Sequence, residues 1–514
     1  MTVEGTNFNG DTLSYTYDAL KRLSVKSVVG QYRTFAQNYI YKTLVGTRTS
    51  TLISGLNVTL QGSSILLYTY SYDDLGNITG IYKDGVLAAS YGYDDQGQLT
   101  SEIDHINDLQ YIYVYDTYGN IRYAYKYTYS TATYLGTDTY GYTNTSWLDR
   151  LTSFNGANIT YDAIGNPLSY NNGSAYTFTW QNGRDLASVV KGGVTTTYKY
   201  GADGQRIEKK YGSTTYNYYY ADGLLVRQTW GNHYIDFLYD ESGSPYSLIY
   251  DGVQYYYVKN VQGDVVQIRS SYGTLLVEYT YDAWGNVLSI TGSNASVLGA
   301  NNPIRYRSYY YDFETGFYYL NSRYYDPEIR RFINADEYVS TGQGFIGYNM
   351  YAYCLNNPVN RMDDSGNKSW QTLLAIGVST VIIGLAILAA IPTGGGSLVL
   401  AGMGISAATA TVAAQAVVVT GAIVSTASAA TGLIESGITY ATNNNHGKNK
   451  GQEFRGGSKK TRDKWYGYEN NQAFKKWFER VGKRKYNYGM DIDCKEIADY
   501  LFQLWKELGS PFPK

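Results

Sequence analysis

From about residue 10 to residue 340 the chain alternates apolar and polar positions in short runs. YTYSYD (68–73), YGYD (91–94), YIYVYD (111–116) and VEYTYD (277–282) carry an aromatic or aliphatic residue at alternate positions. Period two is the strand period, so each run predicts a β-strand with its rings on one face. The runs close on one phrase: Tyr-Asp, two or three residues, Gly, and usually a polar residue. It reads YDDLGN from Tyr72, YDDQGQ from Tyr93, YDTYGN from Tyr115, YDAIGN from Tyr161 and YDAWGN from Tyr281. Looser copies begin at Tyr17, Tyr200 and Tyr239. The aspartate predicts a turn, because its carboxylate can accept from amides two residues on. The glycine supplies positive φ, and a second strand follows, as in NITGIYKDG from Asn77. Most copies recur at about one or two multiples of 20 residues, the length of a strand–turn–strand unit with its connection.

Two other patterns follow. No charged residue stands between Lys368 and Glu435, and LLAIGVSTVIIGLAILAAI (373–391) is long enough to cross a bilayer core as a helix. PTGGGS (392–397) interrupts it, and the small-residue run 398–434 completes a predicted apolar helical hairpin able to insert in a membrane. Beyond the polar linker 442–452, Phe474, Trp477, Phe478 and Val481 repeat at helical spacing. Ile497, Leu501, Leu504, Trp505 and Leu508 do the same. The tail is therefore expected to be a small α-helical domain.

Composition sharpens this outline. Tyrosine supplies 60 of 514 residues, against 14 Phe and 8 Trp. A tyrosine has an apolar body and a polar tip, so regular tyrosines read first as sheet packing and only second as a stacking platform for sugars or bases. Eight prolines and a charged fraction of 17% favour long sheets. A linear series of hairpins leaves open edges unless it winds or closes. A mainly β, spiralling, barrel-like shell is the expected architecture.

The net charge of −2 gives no global signal for nucleic acid. Residues 447–514, however, carry 12 Lys and 4 Arg against 4 Asp and 5 Glu, a net +7 that marks a separate module. Two cysteines, Cys354 and Cys494, and three scattered histidines predict no disulfide framework and no CxxC or multi-histidine metal site, and no cofactor is expected. The opening residues have no basic-then-apolar signal pattern. The chain is expected to be the C-terminal part of a longer protein.

Between Asn301 and Asn367 the repeat gives way to a denser passage. It contains DFETGFYYL (312–320), RYYDP (323–327), RFINAD (331–336) and NNPVN (356–360). This passage resembles the core signature of the RHS (rearrangement hotspot) repeat family, which includes teneurin-like shells, and the upstream Tyr-Asp repeats match the same family. The resemblance implies a hollow β-shell, a core that closes its C-terminal end, and a variable tip that is often a toxin in competition between bacteria. It also implies self-cleavage after the core by aspartates of two D-P-x-G motifs. By position these are Asp336 and Asp363, although the motifs here read DEYV and DDSG. Paired carboxylates could share a proton, one activating a nucleophile and the other acting as acid. Turn formation is the plainer role for both. Arg330 and Arg331 could orient a carboxylate, with surface pairing as the simpler expectation.

The expected domains are a repeat shell (1–300), an RHS core (301–367), a hydrophobic, translocation-type segment with linker (368–440) and a basic helical tip (441–514). In the tip, Asp491 and Asp493 could hold a metal and Arg480 a phosphate, as in a nuclease, although N-capping explains the two aspartates as well. Expected partners are an immunity protein or secretion machinery, a membrane through 373–391 and 398–434, and nucleic acid for the tip alone. The expected function is a secreted, cell-surface or membrane-associated bacterial delivery protein whose shell encapsulates or presents an effector. The competing expectation is an adhesion or wall-carbohydrate-binding protein with an inert tip.

Overall fold

In the computed structural model the residues described are 2–6, 10–43, 49–338, 346–367 and 370–371. Among them the chain forms two large antiparallel sheets of 14 strands each, every strand beside its neighbour in sequence. The first runs from Thr2–Thr6 to Ala157–Asn158 and the second from Thr160–Tyr161 to Val287–Thr291. The predicted strand after Asn77 is Ile78–Lys83. Antiparallel neighbours need only short turns, which the repeat supplies every time.

The turn is built as its residue types require. Asp73 Oδ1 accepts from Leu75 N at 2.9 Å and Asn77 N at 2.8 Å, and its Oδ2 accepts from Asn77 Nδ2 at 2.9 Å. Gly76 has φ +83°, which explains the glycine. The same pattern of aspartate bonds recurs at Asp94, Asp116, Asp162 and Asp282. In each copy the pairing register shifts at the tyrosine before the aspartate, as between Ser71 and Tyr72 or Gly92 and Tyr93. The bulge re-aims that ring.

The re-aimed tyrosine reaches back to the preceding unit. Tyr93 Oη donates to Ile78 O at 2.6 Å, Tyr115 Oη to Leu99 O at 2.6 Å, Tyr239 Oη to Leu225 O at 2.8 Å and Tyr281 Oη to Val265 O at 2.8 Å. These repeats are thus tied to the ones before by a ring that packs and a hydroxyl that bonds. The remaining rings of one face, with Leu56, Ile78, Leu99, Ile121, Leu186, Ile235, Leu248 and Trp284, form a continuous core.

A four-stranded sheet follows, comprising Tyr310–Asp312, Phe317–Tyr319, Tyr324–Asp326 and Arg331–Phe332. Then Arg361–Met362 pairs with Trp370–Gln371. The apolar segment 373–434 and the tip, with Asp491, Asp493 and Arg480, lie outside the described residues. Among the described residues no helix is long and apolar enough to cross a membrane.

Candidate self-cleavage site

Residues 346–360 run along the row of repeat turns and contact them one after another. Asn360 Oδ1 accepts from Ile78 N at 2.8 Å, Asn357 Nδ2 donates to Gly97 O at 2.7 Å, and Asn356 Nδ2 donates to Gly119 O at 2.7 Å. Asn349 Nδ2 donates to Asn120 Oδ1 at 2.9 Å and Tyr351 Oη to Gly165 O at 3.1 Å. The asparagines of NNPVN therefore read successive copies of the Tyr-Asp turn, which fixes the register of this segment on the shell.

The DFETG motif is anchored from the second sheet. Asp312 accepts from Arg206 Nη1 at 2.6 Å and from Lys209 Nζ at 2.8 Å, and Lys209 also reaches Glu314 at 3.0 Å. All four side chains are about 1% exposed or less. Burial pushes the Asp312 carboxyl up, but Arg206 and Lys209 outweigh it and hold it below the ordinary range. Five tyrosine rings, including Tyr310, Tyr319 and Tyr324, surround the Arg206 guanidinium within 6.0 Å.

With the segment so fixed, Asp336 and Asp363 meet at one arginine. Arg323 Nη2 lies 2.9 Å from Asp336 Oδ2 and 3.6 Å from Asp363 Oδ2. Its Nη1 donates to Met350 O at 3.0 Å, its Nε donates to Gly366 O, and the Phe332 ring lies under its guanidinium. All three charged side chains are buried. The other oxygen of each aspartate forms a turn. Asp336 Oδ1 accepts from Tyr338 N at 2.9 Å, and Asp363 Oδ1 accepts from Gly366 N at 2.8 Å and Asn367 N at 3.1 Å. Burial raises the Asp336 carboxyl, with Arg323 opposing, and burial lowers the Arg323 guanidinium. Gly366 has φ +77°, and a Cβ there would stand 2.7 Å from Leu320 O. The site thus brings two carboxylates, one cation and a backbone carbonyl into a single buried node.

The RHS resemblance pointed to both aspartates but not to Arg323, which sits in RYYDP, outside either aspartate motif. The expectation for Arg330 and Arg331 is corrected. Neither is on the surface, and neither orients these carboxylates. Arg330 contacts Asp138 and the Tyr140 hydroxyl, and Arg331 contacts Asn120, Tyr142 and Asp149 O.

The family model described as Teneurin YD-shell matches residues 34–359. The chain belongs to the teneurin YD-shell family. Curated relatives of this YD-shell protein include the tRNA3(Ser)-specific nuclease WapA of Bacillus spizizenii, 36% identical over 235 residues, covering 44% of this chain and 10% of that protein. The toxin protein Tse5 of Pseudomonas aeruginosa is 34% identical over 104 residues, covering 20% of this chain and 7% of that protein. The YD-shell chain therefore spans about a tenth or less of the length of these relatives. Among solved structures, the TcdB2-TccC3-TEV crystal structure superposes with a TM-score of 0.54 at 18% identity, covering 71% of this chain and 21% of that one. The Tc holotoxin pore of Photorhabdus luminescens gives 0.55 at 18% identity, covering 72% and 21%. These matches show a shell-like β fold, shared with proteins named as toxins.

Proposed function

We propose that this chain is the shell and closing core of a toxin-delivery protein, and that it cuts itself just after the core to free the C-terminal segment. The observation that carries the reading is the Arg323 node. One arginine touches both motif aspartates and the Gly366 carbonyl, at the point where the YD-shell ends. The toxin and nuclease names of the relatives support a toxin setting; competition between bacteria, with an immunity protein as counterpart, is what the RHS resemblance implies.

Chemically, Arg323 polarises the Gly366 carbonyl and stabilises the charge that develops on its oxygen. One aspartate takes a proton from a water that attacks the Gly366 carbon. The other, neutral, gives a proton to the departing Asn367 nitrogen. Asp363 Oδ1 stands 3.1 Å from Asn367 N, within reach of the departing nitrogen, which assigns the proton donor to Asp363 and the base to Asp336. The missing motif prolines leave this arrangement intact, because the aspartate contacts come from the side chains and from Arg323. On this reading the apolar segment 373–434 helps the freed tip across a target membrane, and the basic tip acts inside.

Intact-mass measurement on the purified chain is the test. The expected result is an N-terminal product ending between Gly366 and Leu374, with Gly366–Asn367 the first candidate bond, lost in both Asp336→Asn and Asp363→Asn. An uncut wild-type chain would refute the release step. Growth arrest on expressing residues 455–514 inside bacteria would support the effector role, and normal growth at confirmed expression would oppose it.

A further inference from the structure

Where the first strands of the first sheet meet the late strands of the second, two buried lysines reach one repeat turn, and only one of them pairs with its carboxylate. Lys26 stands on the strand Leu23–Val29 and Lys259 ends the strand Val253–Lys259; they are 8% and 7% exposed. Lys26 Nζ pairs with Asp240, while Lys259 Nζ donates to Ser244 Oγ. Both partners belong to one repeat turn, closed by Ser244 N donating to Asp240 Oδ1 at 2.9 Å. Among the described residues no carboxylate lies within 4.0 Å of Lys259. The seam thus buries two ammonium groups against one carboxylate, an excess of one positive charge.

A cavity of about 30 Å³ adjoins this group, lined by both lysines, Gln37 and apolar side chains such as Val28, Phe35 and Val258. A single water needs roughly 10–15 Å³ of such space, so there is room for one or two waters or a bare halide. The other acidic groups nearby are already engaged. Glu241 accepts from Tyr15, and Asp11 accepts from Tyr246, Gln254 and Tyr256. On the adjoining strand, Gln37 donates to Lys259 O and Tyr39 is neutral, its hydroxyl pushed up by burial.

We propose that this seam is a binding site for one small monovalent anion of chloride size, held between Lys26 and Lys259. The anion supplies the missing negative charge, which a buried ammonium requires. Without it, burial and then Lys26 push the Lys259 amine down to about 7. The anion holds Lys259 protonated, so its affinity falls about tenfold per pH unit above that value. An occupied site would tie the start of the first sheet to the end of the second and make that contact sensitive to anion and pH together.

The test is unfolding of the full chain at about pH 6.5 in sodium chloride against sodium gluconate at equal ionic strength. Above saturation, each tenfold rise in chloride should raise the folding constant about tenfold. Lys259→Met should abolish that dependence while being as stable as wild type, or more so, in gluconate. Equal wild-type stability in both salts, or a chloride effect unchanged in Lys259→Met, would overturn the site. Should the variant not fold, the chloride-35 line width decides. Broadening by wild type at about pH 6 that fades by about pH 9 supports the site, and a line width indifferent to protein or pH overturns it.

Discussion

At the scale of single residues, most of what is unusual here is buried charge. Glu102 is the clearest case. Its carboxyl accepts from Ala283 N at 2.6 Å and from Tyr113 Oη at 2.8 Å, and burial, with Asp282 beside it, pushes it up to about 8. A carboxyl raised in the folded state holds its proton there while the unfolded chain has released it. Its contribution is therefore fully present below the ordinary value of 4.5 and is lost as pH rises through about 8. Glu102→Gln should flatten the fall in stability across that window, read as urea midpoints at a series of pH values. Arg323 gives a second expectation. Its guanidinium makes three directed contacts that a lysine ammonium cannot reproduce together, so Arg323→Lys should stop cleavage while keeping the charge. Intact mass again reads the outcome.

At the scale of the element, the unit is a turn plus the tyrosine that staples it to its neighbour. Removing one hydroxyl isolates the staple. Tyr115→Phe should cost about 1 kcal/mol by chemical denaturation, since Leu99 O loses its donor while the ring still packs. Asp116→Ala should cost more, because one carboxylate accepts from Tyr118 N, Asn120 N and Asn120 Nδ2. Asn120 also holds Asn349 and Arg331, so damage at that turn should spread into the core segment. Amide exchange in 346–352 would report it.

At the scale of the whole molecule, the core and the second sheet are joined by the buried Arg206–Lys209–Asp312–Glu314 cluster, and we expect them to unfold together. Asp312→Ala leaves two buried cations with one remaining carboxylate, and breaking a buried pair in this way costs about 3–5 kcal/mol. Calorimetry should show a single lowered transition for sheet and core together. Two separated transitions would show that the core docks independently.

Much of this was legible in the chain alone. Period-two tyrosines and the Asp–Gly turn rest on patterns that the chain displays, whereas Asp336 and Asp363 were singled out only through the RHS resemblance. Arg323, Arg206 and Lys209 were not legible. Arg206 and Lys209 lie on the strand Arg206–Tyr211 and meet partners more than a hundred residues along the chain. Arg323 precedes the strand Tyr324–Asp326, with no motif that marks it as a partner of either aspartate. Arg330 and Arg331 misled because nearness in sequence was taken for nearness in space. Arg330 sits in a turn at φ +62° and Arg331 opens the strand Arg331–Phe332, and this left-handed residue lets both neighbours turn toward the first sheet.

The physical reason for the division is the range of the interactions. Asp73 satisfies amides within four residues of itself, so its turn forms the same way wherever the phrase occurs, and sequence by itself determined the strands, the turns and their serial order. Which cation meets which carboxylate depends on how far each sheet winds before the core returns across it. That sum of many small twists is set by packing. Only the tertiary structure decided that one arginine joins two aspartates to the Gly366 carbonyl, and that two buried lysines meet one repeat turn at the seam.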